Sequence, residues 1–260
     1  QWQGVVQFDH VDFRFPGADT NVLEDITFTA EPGKTTAIIG STGCGKSTLL
    51  NLIPRFYDVS GGSITLDGVD LRAMPQETLR AQLGYVPQKG VLFSGTIASN
   101  LKFGGDAIPD AAMEQAAAIA QAAEFIAAKP QGYQSPIAQG GTNVSGGQKQ
   151  RLSIARAIAK SPRVYLFDDS FSALDYKTDA ALRRALAEKT GDATVIIVAQ
   201  RISTVLHADQ ILVLDEGRIV GRGRHAELLA HCPEYREIAK SQLSERDLAM
   251  AETSTKGGDV

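Results

Sequence analysis

The sequence predicts an α/β protein: a mostly parallel sheet wrapped by helices, with an antiparallel β subdomain at its start and an α-helical subdomain in its middle. Three observations predict this. Apolar runs of strand length alternate with helical stretches, the pattern of parallel strands joined by crossovers. The chain opens on β-type alternation of apolar and polar residues. The stretch from Asp110 to Lys129 is rich in Ala and free of Gly and Pro, so it should be helical.

Val6, Phe8, Val11, Phe13 and Phe15 mark short strands that close at Pro16-Gly17. A second strand should run from Val22 to Ala30 and stop at Glu31-Pro32-Gly33. Thr36 to Ile39 is a short apolar strand, followed by a glycine-rich loop and a helix from about Lys46 to Ile53. Gly61 to Asp70 reads as a hairpin turning at Asp67-Gly68. Beyond the Ala-rich middle, a helix should span Ser145 to Lys160, followed by the buried strand Val164 to Phe167. A helix from about Lys177 to Glu188 and the apolar strand Thr194 to Ala199 follow. We place one domain over residues 1–245, with its helical subdomain at about 89–160, and a frayed, disordered tail over 246–260.

Composition bounds the function. Hydrophobic residues make up 43% and charged residues 22% of 260, as in ordinary globular proteins. The 26 Lys and Arg against 30 Asp and Glu give a net charge of −4, so no nucleic-acid partner is expected. Two cysteines, Cys44 and Cys232, build no disulfide framework and fit a reducing, cytosol-facing compartment. No apolar run approaches the ~20 residues that span a bilayer. We expect a soluble domain that is one piece of a longer membrane protein. His10, His207 and His225 lack ligand-like spacing and read as surface or packing residues.

Gly40 to Ser47, GSTGCGKS, satisfies the phosphate-binding pattern G-x-x-x-x-G-K-[ST] between an apolar strand and a helix. Its glycines let backbone N–H groups curl around phosphate oxygens, Lys46 reaches the β and γ phosphates, and the Ser47 hydroxyl ligates Mg²⁺. Chance would give this pattern in roughly one chain in a hundred of this length. Its strand–loop–helix setting makes chance rarer still, so the expected core is that of a P-loop NTPase. Ser41, Thr42, Gly43, Cys44, Gly45, Lys46, Ser47 and Thr48 are the candidate nucleotide-binding residues. An Asp that closes a strand is more often a turn residue. Downstream of such a loop, Asp168 is better read as the carboxylate that holds the metal's water shell.

Asn143 to Arg151, NVSGGQKQR, closely resembles the signature motif of ATP-binding cassette (ABC) ATPases, whose usual form is LSGGQ-x-QR. Other landmarks recur in order, so the resemblance covers about Val5 to Leu243. Phe13-Arg14-Phe15-Pro16 looks like the adenine-stacking loop, with Phe15 where Tyr is usual. Tyr85-Val86-Pro87-Gln88 looks like the Q-loop, which implies catalytic and metal contacts for Gln88. Ser172-Ala173-Leu174-Asp175 looks like the D-loop. Val91 to Leu101 is similar to the segment after the Q-loop of exporters, favouring an exporter over an importer. Ser145, Gly146, Gly147 and Gln148 open a helix, so a hydroxyl, free N–H groups and the helix dipole should face outward, an arrangement that binds anions. In isolation they read as an N-cap and flexible turn. The resemblance implies that this end contacts ATP bound to a second cassette packed head-to-tail.

The chain departs from the family at two catalytic positions. Asp169 stands where a Glu usually polarises the attacking water, and Gln200 stands where a His usually contacts the γ-phosphate. Asp is one methylene shorter, and Gln cannot carry the proton or charge of an imidazole. Losing such help costs about 10²–10⁴-fold in rate, roughly 3–5 kcal/mol of barrier. Gln139 also replaces the Glu usual in exporters ahead of the signature. The pattern resembles the degenerate-site subunit of a heterodimeric ABC exporter: an ATPase binding ATP (or ADP) and Mg²⁺, with transmembrane domains and a partner cassette, on the cytoplasmic side of a membrane, here a bacterial inner membrane. Two alternatives remain open. One is a DNA-repair or chromosome-organising head, although no heptads lie between Lys46 and Asn143. The other is a regulatory module that binds ATP without hydrolysing it.

Overall fold

The structure, a computed structural model, describes residues 1–104 and 107–243. The tail expected over 246–260 lies outside the described residues. The antiparallel subdomain is a four-stranded sheet in the order β2-β1-β4-β5. It is built from β1 (Val6–Phe13), β2 (Leu23–Ala30), β4 (Gly61–Leu66) and β5 (Val69–Asp70). Phe8 pairs with Phe28 across β1 and β2, and their rings stack at 4.6 Å inside the core. The register of β1 slips between Phe8 and Val11, where His10 takes a left-handed φ of 46°. That extra residue bends the strand and returns Val11 and Phe13 to the buried face. Phe15 falls beyond β1, in the loop that closes it.

The second sheet has six strands in the order β12-β11-β3-β10-β9-β6. Its members are β3 (Thr35–Gly40), β6 (Leu83–Val86), β9 (Val164–Asp168), β10 (Thr194–Val198), β11 (Gln210–Asp215) and β12 (Arg218–Gly223). All neighbours in it run parallel except β12, which pairs antiparallel with β11. Every residue of β9 and β10 is buried, as expected of parallel strands covered on both faces. Because side chains alternate across a strand, these strands feed two cores. Ile38, Leu166, Ile196 and Leu212 join Phe8, Phe28 and Leu49 on one face. Ile39, Phe167, Ile197 and Val213 join the helices on the other.

The phosphate-loop strand β3 leads into α1 (Lys46–Leu52), and α2 (Gln76–Ala81) precedes β6. Between β6 and β9 lies the helical subdomain: α3 (Ile97–Leu101), α4 (Asp110–Ile119), α5 (Ala123–Ala127) and α6 (Gly146–Ala159). The short strands β7 (Gly95–Thr96) and β8 (Pro136–Ile137) pair within it. After β9 come α7 (Tyr176–Lys189), α8 (Ile202–Val205), α9 (His225–His231) and α10 (Pro233–Gln242). Among the described residues, no helix is long and apolar enough to cross a membrane.

The single helix expected over Asp110 to Lys129 is instead two, α4 and α5. Gln121 breaks them with φ 59°, and its carbonyl accepts a hydrogen bond from the Arg151 guanidinium at 2.8 Å. Arg151 also lies over the Phe125 ring at 4.8 Å. Helix propensity, about half a kcal/mol per residue at most for such residues, yields to this tertiary anchor. Strands β6, β11 and β12 and helices α9 and α10 complete the fold without having been read from the sequence.

Candidate functional site

The carboxyl ends of β3, β9 and β10 converge on one edge of the parallel sheet, where ligands of open α/β sheets bind. At the end of β3 the chain must turn over β11. A Cβ on Gly40 would stand 2.1 Å from the Leu214 carbonyl oxygen, so no other residue fits. Gly45, at φ 104°, caps α1 and lies so close to Leu23 that a Cβ would come within 2.9 Å of its Cδ2. Ser41, Thr42 and Gly43 form the exposed rim of the loop, Thr48 is half-buried, and Cys44 is buried behind it. Lys46 is only 8% exposed. Its ammonium donates to the Gly40 and Ser41 carbonyls at 2.8 and 2.7 Å, which folds the charge onto the loop.

Asp168 closes β9 opposite this loop and accepts a hydrogen bond from the Ser47 hydroxyl at 2.8 Å. Burial pushes the Asp168 carboxyl above the usual carboxylate range, Asp169 beside it adds to the rise, and Ser47 and Lys46 oppose it. These residues fit a hard cation: a hydroxyl and a carboxylate oxygen, both hard donors, converge.

Asp169 follows in a left-handed turn at φ 48°, a conformation Asp tolerates better than most side chains. Its N–H donates to the Val198 carbonyl at 2.8 Å, which ties the turn to the end of β10. Its carboxylate accepts from the Gln88 side-chain amide at 3.2 Å. Burial raises its pKa as well, against lowering by Ser172, the Gln200 backbone N–H, Arg201 and Gln88. The residue surface of Gln200 is exposed. The Gln200 carbonyl accepts from Gln242 of α10 at 2.8 Å, and the same Gln242 side chain accepts from the Ile202 N–H that opens α8.

Phe15 is exposed and packs on Phe13, whose carbonyl accepts from the Val22 N–H; Val22 and Leu23 in turn lie against Gly45 of the phosphate loop. The signature residues lie apart from this cluster. Ser145 and Gly146 are exposed at the N-terminus of α6, with Gly147 and Gln148 half-buried. The Ser145 hydroxyl is engaged within its own helix. It accepts from the Gln148 N–H at 3.2 Å while the Gln148 side chain accepts from the Ser145 N–H at 3.2 Å. The outward-facing hydroxyl expected there is therefore half of a capping box. Asp175 of the D-loop segment caps α7 without a reciprocal bond, accepting from the Thr178 N–H at 2.9 Å.

One residue of this region was missed. Gln150, 2% exposed, accepts from the Gly90 N–H at 2.9 Å and donates to the Pro87 carbonyl at 3.2 Å. It fastens the helix of the signature residues to the segment on either side of Gln88. The available signal was a polar residue on the buried stripe continued by Ser153, Ile154 and Ala157.

The family model described as "ABC transporter" matches residues 23–172. An uncharacterised ABC transporter ATP-binding protein of Mycobacterium tuberculosis is 51% identical over 242 residues, covering 92% of this chain and 41% of that protein. An ATP-dependent lipid A-core flippase of Xanthomonas oryzae pv. oryzae is 44% identical over 94% of this chain and 42% of its own length. Among solved structures, a bacterial Atm1-family ABC exporter with ATP bound superposes with a TM-score of 0.89 at 40% identity. That match covers 93% of this chain and 42% of the exporter chain. The chain therefore spans about two fifths of the length of these relatives.

Proposed function

The chain belongs to the ABC transporter family, and from that premise we propose that it is the ATP-binding motor domain of an exporter whose own nucleotide site binds better than it hydrolyses. The observation that carries this is the pairing of an intact binding set with a shortened catalytic one. Lys46, Ser47 and Asp168 are the residues that would hold the phosphates and Mg²⁺, supported by the 2.8 Å contact of Ser47 with Asp168. Mg²⁺ would neutralise charge on the phosphate oxygens. Asp169 is the candidate base, and its carboxylate is already engaged by Gln88. Its raised pKa strengthens it as a base, but the short side chain limits its reach. A base outside ~2.6–3.2 Å of the proton gains little from basicity.

In this reading Ser145 to Gln148 complete the site of a second cassette packed head-to-tail, expected to be a different subunit that carries the Glu and His. Transmembrane domains couple that dimer to export at the cytoplasmic face of a membrane, in a bacterium the inner one. The domain spans 1–245, with residues 89–160 as its helical subdomain. The lipid A-core flippase and the Atm1-family exporter among the relatives support an exporter. The test is the fate of bound nucleotide. After hours with Mg²⁺ and ATP, nucleotide released by denaturing the chain should be ATP. Prompt recovery of ADP would overturn the slow-site reading.

A further inference from the structure

The loop after α1 brings a second aromatic ring to Phe15. Phe15 stands edge-on to the buried Phe13, with centroids 4.9 Å apart and planes at 81°. It stands edge-on again to Tyr57, at 5.3 Å and 88°. Tyr57 also leans on Phe13 at 5.6 Å, closing a triangle of rings in which Phe15 and Tyr57 remain partly exposed.

The loop that carries Tyr57 is anchored on both sides. The Phe56 N–H donates to the Asn51 carbonyl of α1 at 3.2 Å, and the Ser60 N–H donates to the Asp12 carbonyl of β1 at 2.8 Å. The Ser60 hydroxyl accepts from the Arg14 N–H at 2.9 Å, and Arg55 clasps Asp58 at 2.6 and 3.2 Å. One short segment is thus tied to the helix of Lys46 and Ser47 and to the residues flanking Phe15. The triangle also borders the phosphate loop. The Phe13 carbonyl accepts from the Val22 N–H at 2.8 Å, and a Cβ on Gly45 would lie 3.3 Å from the Val22 carbonyl.

We propose that Tyr57 is a positioning residue for the nucleobase: its perpendicular contact fixes the plane of Phe15 on which the base of the bound nucleotide stacks. The proposal rests on the nucleotide-binding reading above. A partly exposed Phe rotates about two torsions. Contact with buried Phe13 restrains its tilt, and the second perpendicular contact restrains its rotation. Ordering the ring before the base arrives removes that cost from binding. The ring edge does this, so the phenol oxygen is dispensable.

The test compares two probes by calorimetry on the whole chain: Mg·ATP, and Mg·tripolyphosphate, which offers phosphates without a base. Tyr57→Ala should weaken ATP binding about three- to tenfold, the range of an edge-to-face aromatic pair, and leave tripolyphosphate unchanged. Tyr57→Phe should bind ATP like the parent. Phe15→Ala combined with Tyr57→Ala should be no weaker than Phe15→Ala alone, because Tyr57 acts through Phe15. Unchanged ATP affinity in Tyr57→Ala, equal losses for both probes, or additive losses in the double variant would each overturn the proposal. A parent chain that binds neither probe would instead overturn the nucleotide-site reading.

Discussion

Replacing Gln150 by Leu tests how the signature helix is fastened to the segment around Gln88. Leu fills nearly the same volume but removes both side-chain hydrogen bonds, so packing is conserved and polar satisfaction is not. Two backbone groups lose partners: the Gly90 N–H, now 2.9 Å from the Gln150 carbonyl oxygen, and the Pro87 carbonyl, 3.2 Å from its amide. Gly90 cannot retreat into the helix, because a Cβ there would already be 2.8 Å from the Ser153 hydroxyl and 3.0 Å from the Lys149 carbonyl. Leaving a buried polar group unpaired costs about 1–3 kcal/mol. With both groups only part-buried, some of that is recovered from water, and we expect a loss of about 2–3 kcal/mol. Urea unfolding followed by circular dichroism measures it as a lower midpoint at unchanged slope. Gln150→Glu should lose stability as well, since it keeps an acceptor for Gly90 but buries a charge and loses the donor to Pro87. A Leu variant within about 0.5 kcal/mol of the parent, in the range of an ordinary surface change, would show that these two bonds do not hold the helix.

Two further outcomes concern buried titratable groups. Asp168→Asn removes a carboxylate whose ionised form burial disfavours but keeps an acceptor for Ser47. Its melting temperature should rise, because the neutral amide carries no ionised form to desolvate. Calorimetric binding of Mg·ATP should fall by at least about tenfold; a less stable variant contradicts the burial argument, and normal binding contradicts the metal role. His225, whose ring nitrogen meets the Tyr235 hydroxyl at 2.7 Å, has its pKa lowered from 6.5 by burial and by His207. Its unfolded form takes up a proton at a higher pH than the folded form does. Its contribution is therefore complete above pH 6.5, erodes as the pH falls below that value, and levels off beneath the lowered folded pKa. Melting curves of His225→Gln should decline less over that window than those of the parent, and parallel curves would remove His225 as the cause.

Much of the site was legible because its chemistry depends on local spacing. The loop from Gly40 to Ser47 needs its glycines at fixed offsets, and Asp168 and Asp169 follow a short apolar run whose length and β-branched and aromatic residues mark a covered strand. What escaped was decided at a distance. The break at Gln121 depends on Arg151, thirty residues on, and nothing in the Ala-rich run announces it. Gln150 has meaning only through Pro87 and Gly90, which the sequence places far from it. The N-cap role of Ser145 is legible in isolation, and the Gln three residues later completes it as a capping box. Strand β6 is short and carries Gly84, so its apolar pattern is weak by itself. It becomes a strand by pairing with β9.

We propose that Asp169 and Gln200 limit turnover at a site that otherwise binds ATP. Introducing Asp169→Glu and Gln200→His together and measuring the ATPase rate of the ATP-bound dimer decides it. The expected result is a gain of at least about 100-fold in kcat, the lower range for a positioned acid–base group, with ATP affinity little changed. Turnover that stays at the parent rate in a dimer that binds ATP would contradict it.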